Sequence, residues 1–197
     1  MPTRETPFPM LPSPPAHPVL GSLLRYWQQK RGARSLPSRR DIDPLEMGPD
    51  LLPHLVLTDL FDRGTRVRFR LVGTTVVKRL GFDPTGRYLD AETKGGWWDV
   101  VGALHRLAYC ERAPLYGESE FVWGAGRRLE SRHLLLPLTQ DGPDPAIALG
   151  AFVFASNEVF PPTLRALCES AAHCEVTRQV LKATPGREDH VAGREVA

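Results

Sequence analysis

The chain has 197 residues, 42% of them hydrophobic and 24% charged, with a formal net charge of +2. These figures predict one soluble globular domain with tails rather than two catalytic domains, and they supply no electrostatic pull towards nucleic acid. Cys110, Cys168 and Cys174 form no Cys-x-x-Cys pair, and no apolar run approaches the ~20 residues of a membrane span, so a reducing, cytoplasmic setting without membrane contact is expected.

Residues 1–17 contain Pro2, Pro7, Pro9, Pro12, Pro14 and Pro15, which fix φ and remove donors, and are expected to form a disordered leader. Pro18 then suits a first helical turn, and Leu20, Leu23, Leu24 and Trp27 recur at helical spacing up to Gly32. The polar side of this helix and the following loop carry Arg25, Lys30, Arg31, Arg34, Arg39 and Arg40, which read either as a phosphate-binding patch or as a solvated face. Asp43 before Pro44 has the N-cap and first-turn pattern of a short helix.

From His54 to Phe61 the apolar residues alternate as in a strand, and Asp62-Arg63-Gly64 predicts a hairpin turn. The next run is the most ordered in the chain. Val67, Phe69 and Leu71 alternate with Arg66, Arg68 and Arg70, so the first three are expected to face a core and the arginines to face away. At Gly73 the period changes: Val76, Val77 and Leu80 follow helical spacing, and Gly81 suits the positive φ that closes a helix.

Arg68-Phe69-Arg70-Leu71-Val72-Gly73-Thr74, followed by Gly81-Phe82-Asp83-Pro84-Thr85-Gly86-Arg87, resembles the second strand, first core helix and following turn of a PAS (Per-ARNT-Sim) sensor domain. Leu36-Pro37-Ser38-Arg39-Arg40-Asp41-Ile42-Asp43-Pro44 and Leu51-Leu52-Pro53 resemble the lead-in of a small, divergent proteobacterial PAS branch. The rest of the chain keeps the corresponding order. A connection from Leu89 to Gly96 leads to a helix carrying Trp98, Val101, Leu104, His105 and Ala108. Strand-like runs follow at Gly117 to Trp123, Leu129 to Leu138 and Ala146 to Ala155. Finally Leu164, Leu167, Ala171, Cys174, Arg178 and Leu181 have the 3-4 spacing of a helix, with a disordered tail expected over 184–197.

The fold expected over 18–183 is therefore α+β: a PAS-like five-stranded antiparallel sheet with helices on one face and flanking N- and C-terminal helices. The terminal helices are expected to pair in a homodimer through Leu20–Trp27 and Leu164–Leu181.

The resemblance implies a ligand cavity walled by the helix at 98–108, and the residues expected to line it are Phe69, Leu71, Trp98, His105, Tyr109, Phe121 and Trp123. No cofactor is assigned. The Asn-Cys-Arg motif of flavin-binding members is absent, and His105 stands without a second feature pointing to haem. The six histidines are too scattered for a zinc cluster. Ser131 and His133 share one face of a strand, but no nucleophile elbow accompanies them, and no phosphate-cradling glycine loop is present. The expected function is a non-catalytic sensory or regulatory domain that binds a small molecule or a protein partner and signals through helix contacts. A ligand-free interaction adaptor is the alternative, and an enzyme stands behind both.

Overall fold

The computed structural model describes residues 17–89, 96–123, 127–155 and 173–180; at 96–97, 120–123, 127–129 and 173–180 the backbone alone is described. Helix α1 (Pro18–Arg31) is followed by three 3-10 turns (Arg39–Asp41, Pro44–Glu46 and Leu52–His54) and the hairpin β1 (Leu55–Phe61) and β2 (Arg66–Val72). Helix α2 (Thr74–Leu80), the short β3 (Tyr88–Leu89) and helix α3 (Gly96–Glu111) lead to β4 (Leu115–Trp123), β5 (Arg127–Thr139), β6 (Pro145–Phe154) and β7 (His173–Val180). The strands form one seven-stranded antiparallel sheet in the order β3-β2-β1-β6-β5-β4-β7. Among the described residues no helix is long and apolar enough to cross a membrane.

The central strands are apolar on both faces because each face has its own core. Along β6, Ile147, Leu149, Ala151 and Val153 point to one side and Ala148 and Phe152 to the other. The first side is covered by α1, whose Leu20, Leu23, Leu24 and Trp27 are all buried in it together with Leu134, Leu136 and Leu138 of β5. The Trp27 Nε1–H donates to the Pro137 carbonyl at 3.0 Å, fixing the helix against β5. The second side is covered by α2 and α3, with Val76, Leu80, Trp98, Val101, Leu104 and Ala108 against Val56, Val67, Phe69 and Leu135. Full burial of a large apolar side chain is worth about 1.5–3 kcal/mol, so none of the three helices is a peripheral appendage. Helix α2 ends as its sequence predicts, with Gly81 at φ 73° and its N–H bonded to the Val77 carbonyl.

Three expectations need correction. The sheet has seven strands rather than five, because Tyr88–Leu89 pairs with β2 instead of forming a plain connection and because β7 pairs with β4. The C-terminal helix expected through Leu181 does not extend over His173–Val180, which is strand along its whole length from Val122↔His173 to Leu115↔Val180. The reason lies in Val176, Thr177 and Val180, β-branched residues that favour a strand, beside the otherwise open edge of β4. Leu164 to Ala172, like the leader and tail, lies outside the described residues.

The third correction concerns Leu71. Leu57 pairs with Leu71 but Thr58 pairs with Phe69, so Arg70 is an extra residue in β2, a β-bulge. Beyond the bulge the facing is inverted. Val67 and Phe69 enter the α3 core as expected, whereas Leu71 emerges on the opposite face and is 47% exposed.

Candidate functional site

Helix α3 presents one apolar stripe to the sheet, and His105 lies within it, fully buried. Beneath it, the antiparallel register of β4 and β5 sets Gly117 opposite His133 and Ser119 opposite Ser131. These positions share the parity of Leu115 and Leu135, which belong to the α3 core, so the polar side chains are carried to the inside face. Ser119, Ser131 and His133 are all buried. The His133 ring stacks on Phe152 with centroids 5.4 Å apart and an interplanar angle of 27°. It lies over Gly117 so closely that a Cβ there would run into the imidazole; glycine is required at this position by space, not by φ.

The hydrogen bonding of this group is incomplete. His105 Nδ1 is 2.7 Å from the Val101 carbonyl. A carbonyl only accepts, so Nδ1 carries the proton and Nε2 presents a lone pair. Among the described residues that Nε2 has no partner, and neither do the Ser119 and Ser131 hydroxyls or either ring nitrogen of His133. Burial pulls the His105 pKa down to about 4, against a smaller opposing effect of the Val101 hydrogen bond. Burial, and then the proximity of His105, pulls His133 down to about 3. Both rings are thus neutral near pH 7, and the site offers hydrogen-bond donors and acceptors without net charge. Among the described residues no three His, Cys, Asp or Glu side chains could hold a metal ion together.

An α+β fold with a hairpin, two helices and a three-stranded run, enclosing a polar group beneath the longer helix, agrees with one further observation: residues 16–153 match the family model described as PAS domain. The chain belongs to the PAS domain family. No curated protein sequence matches it. PAS domains are in general sensory or regulatory modules and are typically non-catalytic.

Of the residues expected to line a cavity in this PAS domain, Phe69, Trp98, His105 and Tyr109 come together in the α3 core. Phe69 and Trp98 meet edge to face at 6.1 Å. Leu71 does not join them, being on the other face. Phe121 and Trp123 lie in β4 opposite Leu129 and Arg127, but their side chains fall outside the described residues. Sequence reasoning placed Ser131 and His133 on one face yet did not connect them with His105, Ser119 and Gly117. A Ser-x-His directly before the apolar run Leu134–Leu138, in phase with the inward-facing Leu135, was the available signal.

The basic residues suggested as a phosphate patch are interleaved with carboxylates. Lys30 pairs with Glu46 at 2.5 Å, Arg34 with Asp41 at 2.8 Å and Arg40 with Asp141 at 3.5 Å. Such exposed or half-exposed pairs add little stability, but at Lys30, Arg34 and Arg40 they cancel the positive potential a phosphate would need.

Proposed function

We propose that this PAS domain is a non-catalytic sensor for a small, neutral, polar molecule held between α3 and β4–β5, and that the orphaned polar atoms of His105, Ser119, Ser131 and His133 are its contacts. That unsatisfied group is the observation that carries the reading. Each buried polar atom left without a partner costs about 1–3 kcal/mol, and native proteins keep few of them without a reason. A ligand with both donors and acceptors would recover much of that cost. A charged ligand is disfavoured because no cationic or anionic side chain belongs to the group.

The placement also supports a means of signalling. His105 belongs to α3, whereas the other three side chains belong to the sheet, so a molecule bridging them would fix the helix relative to the strands. Loss of the molecule would free α3 to shift.

The test is native mass spectrometry of the full chain together with an absorption spectrum, repeated on His133→Phe. The expected result is a retained small molecule in the natural sequence that is lost from the variant. A bare chain mass in both, with unchanged melting on addition of polar metabolite mixtures, overturns the reading. An empty interior accompanied by a stably bound protein favours the adaptor instead.

A further inference from the structure

On the sheet face away from α3, the chain between α1 and β1 stops short of covering β1 and β2. It leaves an apolar groove of about 410 Å³, walled by Ile42, Met47 and Leu52 and floored by Leu57, Leu71 and Leu149. The wall is held in place from α1: the Tyr26 hydroxyl accepts from the Asp43 N–H at 2.8 Å and donates to Glu46 Oε2 at 3.0 Å. The floor is completed by the bulge at Arg70, which turns Leu71 onto this face.

Arg39 also lines the groove. Its Nη1 donates to the Ile42 carbonyl at 3.0 Å, while its Nε is buried without a partner among the described residues. Its neighbours Arg34 and Arg40 each have a carboxylate, but among the described residues none pairs with Arg39. An unpaired guanidinium at an apolar groove has one evident complement, since its planar fork matches a carboxylate and the leucines match a hydrocarbon chain. The volume lies in the range of small-ligand sites.

We infer that this groove binds a free aliphatic carboxylate of medium chain length, with its tail along Leu57, Leu71 and Leu149 and its head group on Arg39. The site is separate from the polar group beneath α3 and lies across the sheet from it. A single guanidinium suits a monoanion better than a phosphate dianion. A fatty alcohol would fill the groove but leave the Arg39 guanidinium without a carboxylate.

The experiment is calorimetric titration of the full chain with decanoate and with 1-decanol, using Arg39→Gln, Leu71→Asp and His133→Phe. Decanoate is expected to bind the natural sequence more tightly than decanol. Arg39→Gln should weaken decanoate at least about tenfold, the loss of a charge-assisted hydrogen bond, and leave decanol unchanged. Leu71→Asp should weaken both, and Leu71→Ser serves if that variant does not fold. His133→Phe should leave decanoate binding intact, which separates this site from the sensor reading. Equal binding of acid and alcohol, insensitivity to Arg39→Gln, or methyl shifts at Leu104 and Leu135 instead of Leu57 and Leu149 overturns the proposal. Absence of decanoate binding to the full chain does so too.

Discussion

Asp59 and Arg68 sit directly opposite one another on β1 and β2, and a single carboxylate oxygen, Asp59 Oδ2, takes both the Arg68 Nε–H at 2.9 Å and Nη2–H at 2.7 Å. The other oxygen accepts from Arg70 Nη1 at 3.2 Å. Asp59 is 7% exposed, while both guanidinium groups reach solvent, so the carboxylate is the member whose loss matters. Asp59→Ala leaves two arginines side by side without their acceptor and is expected to cost about 2 kcal/mol. Arg68→Ala should cost less than half as much, because its charge is screened and its partner keeps Arg70. Urea denaturation of the two single variants and the double variant measures both effects; equal losses would mean that the carboxylate is not the centre of the group.

The bulge at Arg70 separates two adjacent apolar positions of β2. Phe69→Ala is expected to cost ~3–5 kcal/mol, since the ring is buried against Trp98. Leu71→Ala, on the open face, should cost under ~1 kcal/mol. Similar losses at both positions would place Leu71 in the α3 core and remove the bulge.

Acid sensitivity should trace to the two buried imidazoles. Their folded pKa values, about 4 for His105 and about 3 for His133, lie below the ordinary 6.5. Below pH 6.5 the unfolded chain binds protons that the folded chain refuses, so stability is full above that pH and falls as the pH drops towards 4. Each histidine removes up to ~1.4 kcal/mol per pH unit in this window. Two units for two rings is roughly 5 kcal/mol, comparable with the whole stability of a small domain. His133→Phe should halve the slope of stability against pH between 6.5 and 4.5, while an unaltered slope would show that His133 does not titrate on unfolding.

Helix α1 spends its apolar stripe on its own sheet, so Leu20→Asp should unfold the domain rather than dissociate a dimer. Trp27→Phe, which loses the bond to the Pro137 carbonyl and leaves a void where the larger, fully buried indole lay, should cost about 2–3 kcal/mol. Thermal melting combined with sedimentation distinguishes the cases: a Leu20→Asp protein that melts normally but has lost an oligomer would restore α1 as an intermolecular surface.

The hairpin, α2 and α3 were legible because each carries a clean period, as in Val67 and Phe69 for β2 and Trp98, Val101, Leu104 and Ala108 for α3. The bulge was not. Arg66, Arg68 and Arg70 alternate perfectly in sequence, and only pairing with β1 shows that Arg70 is supernumerary. The strand at His173–Val180 was obscured because Cys174, Arg178 and Leu181 also fit a helical seam, and the choice was made by the neighbouring edge of β4. The polar group shows the same limit. His105 is visible on its helix, but its meeting with His133 depends on Gly117, a residue whose role is to be small beneath a ring that arrives from another strand.

Strand β5 belongs to both layers of the molecule at once. His133 and Leu135 point towards α3, and Leu134 and Leu136 point towards α1 and Trp27. Successive side chains on a strand share one backbone of nearly fixed length, so β5 would act as the fulcrum of a seesaw. In close-packed layers a tilt that lifts His133 would also move Leu134 against the opposite core. The two helices need never touch to rest on the same strand.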